Sequence, residues 1–116
     1  MPKTTMTKEA KDYIQDCLDC YRVCTETLGH CLKMGGKHLE ESHLRLLQDC
    51  AYICKMSADF MIRGSDSEAD LCRVCADICA SCAKSCENID TSDEMMARCA
   101  DACKKCASSC KEMGSK

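Results

Sequence analysis

Four stretches of the chain repeat a core-type residue every three or four positions, with charged and small polar residues in the intervals. In the third stretch the repeating positions are Cys72, Cys75, Cys79, Cys82 and Cys86, a 3-4-3-4 spacing, and in the fourth they are Cys99, Cys103, Cys106 and Cys110, a 4-3-4 spacing. This is the a/d seam of a heptad, the mark of an amphipathic helix that packs on other helices. The first stretch carries Cys17, Cys20, Cys24, Thr27 and Cys31 on the same seam, and the second carries His43, Leu47, Cys50, Cys54, Ser57 and Met61. All fifteen cysteines therefore fall at core-facing positions, where an ordinary bundle places leucine.

The ends of the stretches are marked as well. Gly35-Gly36-Lys37 closes the first, Gly64-Ser65 the second and Asn88-Ile89-Asp90-Thr91 the third; glycine just past a periodic segment is the expected C-terminal cap. Ser65-Asp66-Ser67-Glu68 and Thr91-Ser92-Asp93-Glu94 both read S/T-x-x-E, a capping box. The one proline, Pro2, lies ahead of all four segments, so nothing inside them breaks a helix. The pattern predicts helices over about 6–34, 39–63, 67–88 and 92–113. Short connections force neighbours to run antiparallel, so the predicted fold is all-α, an up-down-up-down four-helix bundle. Strands are disfavoured because β-branched and aromatic residues are few and no period-2 alternation occurs. The run Cys75 to Cys86 matches Cys99 to Cys110 at an offset of 24, and Cys50, Cys54, Ser57 and Met61 take the same positions at an offset of 49. One thiol-bearing face is repeated with different degrees of substitution.

Composition sharpens this reading. Residues 1–116 amount to one domain, and sixteen Lys and Arg against nineteen Asp and Glu give a net charge of −3. That leaves no basic face for nucleic acid. Leu, Ile, Val and Phe together make sixteen residues, about 14%, below the level at which an ordinary apolar core is expected. No apolar run approaches the roughly 20 residues that span a bilayer, so no membrane partner is expected. Met1 to Glu9 shows no apolar run behind its lysines, no twin arginine and no small-residue cleavage site, and the expectation is a cytoplasmic protein. A reducing cytosol keeps thiols free, and fifteen cannot all pair within one chain. The disulfide-scaffold reading therefore falls behind a thiolate metal protein.

A column of thiols in place of leucine forfeits buried CH₂ groups at about 0.8 kcal/mol each. Metal binding can restore that stability, because a site absent from the unfolded chain turns binding energy into folding energy. Soft thiolates select Cu(I), Zn(II) or iron–sulfur clusters. C-x-x-C pairs occur at 17/20, 72/75, 79/82 and 103/106, but they interlock with C-x-x-x-C pairs at 20/24, 50/54, 75/79, 82/86, 99/103 and 106/110. Isolated zinc quartets do not need such continuity, and the iron–sulfur runs have other spacings. Cu(I) accepts two or three soft ligands, and residues three or four apart on a helix lie about 5–6 Å apart at Cβ, so continuous ladders suit many Cu(I) ions in a file. Two other readings stay open: a thiol redox protein that cycles disulfides between neighbouring cysteines, and zinc or toxic-metal sequestration, in which four thiolates per ion limit the load to three complete sites.

With these ladders the chain resembles the bacterial copper storage proteins, four-helix bundles whose interior is lined with cysteines that bind many Cu(I) ions. The resemblance spans about residues 6–113 and rests chiefly on the Cys72 to Cys86 and Cys99 to Cys110 ladders. The absent export signal makes the chain look like the cytosolic branch of that family, and the resemblance implies a homotetramer and a storage role without catalysis. The chain also lacks a phosphate loop, a paired-carboxylate signature and a Ser/His/Asp set, so no catalytic residue is assigned. The second helix departs from a fully thiol-lined face at Ser57 and Met61. The expected metal ligands are Cys17, Cys20, Cys24, Cys31, Cys50, Cys54, Cys72, Cys75, Cys79, Cys82, Cys86, Cys99, Cys103, Cys106 and Cys110, with His43 and Met96 guiding copper in.

His43, seven before Cys50, Met96, three before Cys99, and Met34, three after Cys31, are all expected to face the seam at one end of the bundle, which reads as a mouth. His30 and His38 lie near it, either as ligands or as surface residues. Tyr13, Ile14, Phe60, Met61, Ile62, Leu71 and Met113 gather at the other end as an apolar plug, with Met56 and Met61 read as packing rather than as ligands. Charged pairs such as Glu40-Glu41 and Lys104-Lys105 read as solvated outer faces.

Overall fold

The first and last helices begin where a side chain satisfies their free amides, and the first two end where glycine takes over the chain. The computed structural model describes residues 6–116; residues 1–5, which hold Pro2 and the first part of the segment read for export signals, lie outside the described residues. Thr7 accepts a hydrogen bond from the Ala10 amide at 3.1 Å and starts α1 (Lys8–Met34), which ends at Gly35 with φ 69°. A single 3₁₀ turn (Gly36–Leu39) follows, then α2 (Glu41–Arg63), α3 (Glu68–Ile89) and α4 (Glu94–Gly114). Gly64 adopts the left-handed conformation, its amide bonding to Met61 and the Ser65 amide to Phe60. This is the double bond of a Schellman cap, for which glycine is the residue without a steric penalty.

Among the described residues no strand forms, and the four helices make the expected antiparallel bundle. α1 packs beside α2 and α4, and α3 beside the same two, in a rod of 52 × 21 × 20 Å. No described helix is long and apolar enough to cross a membrane. The second helix starts at Glu41, two residues from the expected boundary, because Gly36 to Leu39 wind into the 3₁₀ turn. One local expectation fails: the capping boxes at Ser65 and Thr91 do not form. Ser65 Oγ instead accepts from the Ser67 amide at 3.1 Å, and α4 is capped by Asp93, whose Oδ1 takes the Met95 and Met96 amides at 2.9 and 3.2 Å. A carboxylate acceptor at the positive end of a helix outcompetes the threonine hydroxyl two positions earlier.

The outer faces carry exposed ion pairs such as Arg22–Glu26 at 2.9 Å and Lys104–Glu87 at 2.7 Å. At the end away from the turn, Tyr13, Ile14 and Met61 are buried and Phe60, Leu71 and Met113 are half-buried. Ile62 is not part of this plug: it is exposed, since one step along a helix from buried Met61 turns the side chain about 100° away. Met56 is also exposed. α3 and α4 come close together here. A Cβ on Gly114 would lie 2.6 Å from the Arg73 side chain, whose Nη1 donates to the Gly114 carbonyl at 2.6 Å.

Candidate metal centre

The seam residues of the four helices meet on the bundle axis, and all fifteen cysteines are buried there as free thiols. Sulfurs from different helices touch. From the plugged end, Cys110 lies 3.5 Å from Cys17 and Cys17 lies 3.7 Å from Cys106. Cys106 is 3.6 Å from Cys54, and Cys54 is 3.5 Å from Cys79. Cys79 is 3.5 Å from Cys50, and Cys50 is 3.8 Å from Cys20. Cys20 is 3.9 Å from Cys24, and Cys24 is 3.8 Å from Cys99. This path is unbroken and uses all four helices.

Four-thiol groups with every sulfur within 4.8 Å of the others form along it: Cys17, Cys75, Cys106 and Cys110; Cys20, Cys50, Cys54 and Cys79; Cys20, Cys24, Cys50 and Cys103; Cys24, Cys82, Cys99 and Cys103; Cys54, Cys75, Cys79 and Cys106. The groups overlap, so one thiol serves two of them. With metal–sulfur bonds of about 2.3 Å, three thiolates around an ion stand about 4.0 Å apart and four about 3.8 Å apart. The observed separations need only slight adjustment for either. Cys72 and Cys86 extend the column at its two ends. The Cys72 thiol is pushed up by its hydrogen bond with Cys110 and then by burial, and that of Cys86 by hydrogen bonds with Cys82 and Cys99 and then by burial. Sulfurs this close and this dry cannot all ionise together, so most of the metal-free column stays protonated. Metal binding must expel their protons.

Beyond Cys24 and Cys50 the lining changes. Thr27 and Leu47, both fully buried, take the seam positions on α1 and α2, and sulfur continues only on the α3 and α4 side through Cys82, Cys86 and Cys99. Past this level lies a separate group at the mouth. Cys31 Sγ is 3.5 Å from His43 Nε2 and 3.9 Å from Met96 Sδ. Burial pushes the Cys31 thiol up to about 11, with the charges of Cys99 and Asp93 adding to it. Burial also holds the His43 imidazole below its ordinary value, which favours the neutral ring that a metal needs. His43 Nδ1 lies 2.7 Å from Ser85 Oγ. With Nδ1 donating there, Nε2 offers its lone pair toward Cys31, the way a hydrogen bond on one ring nitrogen orients the other toward a metal.

Met34 does not join this group. It is the last residue of α1, where the chain turns away at Gly35, and is 54% exposed. His38, by contrast, is only 3% exposed, and both it and His30 contact Asp93 Oδ2 through Nε2, at 3.0 and 2.7 Å. Burial works to raise the Asp93 carboxyl, but hydrogen bonds from His30, the Met96 amide and His38 outweigh it and hold the group down to about 2. Neither Asp93 nor Ser85 stands out in the sequence. The one signal for Asp93 is its place three residues before Met96, at a helix start.

The model of the copper storage protein (Csp) family matches residues 6–115. The chain is similar to the solved Nmul_A1745 protein from Nitrosospira multiformis, at 42% identity and TM-score 0.86, covering 93% of this chain and 96% of that one. It is similar to the Cu(I)-bound copper storage protein BsCsp3 of Bacillus subtilis, at 31% identity and TM-score 0.85, covering 92% of this chain and 99% of that one. A cytosolic copper storage protein from Streptomyces lividans, solved during loading with five coppers, matches at 27% identity and TM-score 0.81 over 94% of each chain.

Proposed function

This chain belongs to the copper storage protein family, and from that premise we propose that it is a cytosolic Cu(I) store, not a catalyst, in which the thiolates of all fifteen cysteines hold a file of ions admitted past His43 and Met96. The observation that carries this reading is the unbroken sulfur path from Cys110 to Cys99, with contacts of 3.5–3.9 Å. A tetrahedral zinc protein needs separate quartets, and three disjoint groups can be chosen here; the shared thiols between them add nothing to zinc capacity. For an ion content with two or three soft ligands, shared thiols are bridges. If each copper has two thiolates and each thiolate bridges two coppers, capacity is about one ion per cysteine, roughly fifteen.

At the mouth, Cys31, His43 and Met96 offer one thiolate, one imidazole and one thioether to an arriving ion. Three mixed ligands hold it less firmly than the bridged thiolates beyond, so the ion moves inward. The family resemblance further supports a homotetramer, and Tyr52 and Met56, one turn apart and exposed on α2, supply apolar surface for subunit contact.

The test is an anaerobic titration of the reduced protein with Cu(I) against a competing chromophoric chelator. An end point near or above about ten ions per chain is expected for a bridged store. An end point of three or fewer overturns the proposal in favour of separate tetrahedral sites. In the same assay, His43→Ala combined with Met96→Ala should slow loading while leaving the end point almost unchanged. Equal loading rates would remove both residues from the admission path.

A further inference from the structure

Beside the mouth, three side chains that hold none of the sulfur file converge on one point. His30, on the last turns of α1, and His38, in the 3₁₀ turn, bring their Nε2 atoms to Asp93 Oδ2 at 2.7 and 3.0 Å. The two rings stand edge to face with centroids 5.8 Å apart. The other oxygen, Oδ1, is committed to the Met95 and Met96 amides, so the helix cap fixes the direction in which Oδ2 points. The side chains of His38 and Asp93 are 4% and 7% exposed, while that of His30 is 27% exposed. The cluster is therefore closed except on the His30 side.

We propose that His30, His38 and Asp93 form a second metal site, for one divalent ion of borderline character such as Zn(II), separate from the Cu(I) file. The donor set is the first argument. Two imidazole nitrogens and a carboxylate oxygen, with no sulfur among them, suit divalent borderline ions and are a poor match for Cu(I). Geometry is the second. Ligand atoms bound tetrahedrally at about 2.0–2.2 Å stand about 3.4 Å apart, a little beyond the Nε2 to Oδ2 distances of 2.7 and 3.0 Å found here. Replacing the two Nε2 protons by one ion needs the rings to open by about half an ångström. The third argument is charge: the carboxylate is ionised, and Asp90, paired with Lys37 at 3.7 Å, places a second carboxylate on the same turn. The exposed side of His30 leaves room for a water as fourth ligand, as in open zinc sites. An ion held here would tie α1, the 3₁₀ turn and the start of α4 together one turn from Met96.

The test uses the full chain loaded with Cu(I) to its end point, so that the thiolates are occupied before Zn(II) is added. Zinc is titrated against a chromophoric chelator, and the histidine ring nitrogens are followed by long-range ¹H–¹⁵N NMR. The expected result is one zinc per chain, with the Nε2 resonances of His30 and His38 both shifting. Asp93→Asn keeps an oxygen to cap α4, and should weaken zinc by about tenfold or more with helicity and copper capacity unchanged. His30→Ala with His38→Ala should abolish the zinc in the same way, and does not touch the cap. Equal zinc content in the wild type and the double-histidine variant would overturn the proposal, by placing the ion elsewhere. Absence of zinc with unshifted Nε2 resonances would overturn it too, leaving the cluster as a hydrogen-bonded latch.

Discussion

Leu47 and Cys103 both lie fully buried on the bundle axis, yet truncating them should have opposite rankings with and without copper. Leu47 is the bulkiest fully buried side chain of the described core, and Leu47→Ala should destabilise the metal-free protein by about 3 kcal/mol through lost transfer energy and the cavity left behind. Cys103→Ala removes one sulfur, packed 3.7–3.9 Å from Cys20, Cys24 and Cys50. That is roughly one methylene-sized group and should cost about 1 kcal/mol. Copper reverses the order. Leu47 contributes no ligand, so its penalty stays near 3 kcal/mol. Cys103 belongs to two overlapping thiol groups. A four-thiolate structural site contributes about 10–16 kcal/mol, so losing one thiolate removes several kcal/mol and lowers capacity by about one ion. Urea unfolding followed by helical circular dichroism, anaerobic and reduced, gives both rankings when run with and without Cu(I). If Cys103→Ala is as damaging as Leu47→Ala in the metal-free protein, the thiols are an ordinary packed core. If the ranking does not reverse on loading, Cys103 is not a ligand.

Two further outcomes follow from individual groups. The Asp93 carboxyl is held at about 2, below its ordinary 3.8, so its contribution of about 2 kcal/mol is present above pH 3.8 and lost as pH falls toward 2. The Cys31 thiol is raised from 9.0 to about 11, so its contribution is present below pH 9 and lost as pH rises toward 11; urea midpoints of the metal-free protein should fall at both extremes, and Asp93→Asn should shrink the acid limb alone. Ser57 is fully buried on the seam, and its hydroxyl has no hydrogen-bond partner among the described residues. Ser57→Cys should stabilise the metal-free protein by about 1 kcal/mol and raise the Cu(I) end point by about one ion; an unchanged end point would show that this position does not face the file.

The bundle and its sulfur axis were legible because one periodicity determines both. A 3-4 spacing turns each marked residue to the same helix face, and in a four-helix bundle that face has nowhere to point except the axis. What the pattern could not show is how residues from different helices meet at the ends. Met34 has the right spacing from Cys31, but the helix stops at that residue and leaves it in solvent. His38 lies outside any α-helical period, and its burial depends on a 3₁₀ turn folding back onto Asp93. Asp93 was hidden within a capping-box signature that assigned the cap to Thr91, and the shift of two residues changes a surface carboxylate into the hub of the mouth. Periodicity reads one helix at a time, whereas the point where a helix stops and the contacts made between segments are not encoded in spacing.

On the proposed path, the two places where the seam lacks sulfur near the mouth, Thr27 and Leu47, would give the store a direction. Deep in the bundle thiols come from all four walls, as where Cys50 meets Cys20, Cys79 and Cys103. At the level of Thr27 and Leu47 two walls offer a hydroxyl bonded to its own helix, 2.7 Å from the Val23 carbonyl, and an aliphatic chain. On the proposed path, an ion leaving Cys31, His43 and Met96 would advance along α3 and α4, over Cys86, Cys99 and Cys82. A thiol at either position would merge the mouth with the store and spread arriving ions over bridging sites at once. Leucine would keep that passage narrow, and it is the largest fully buried side chain of the described core. The same side chain would then serve stability without metal and, on the proposed path, order of filling with it, since it stands between the mouth group of Cys31, His43 and Met96 and the thiols beyond.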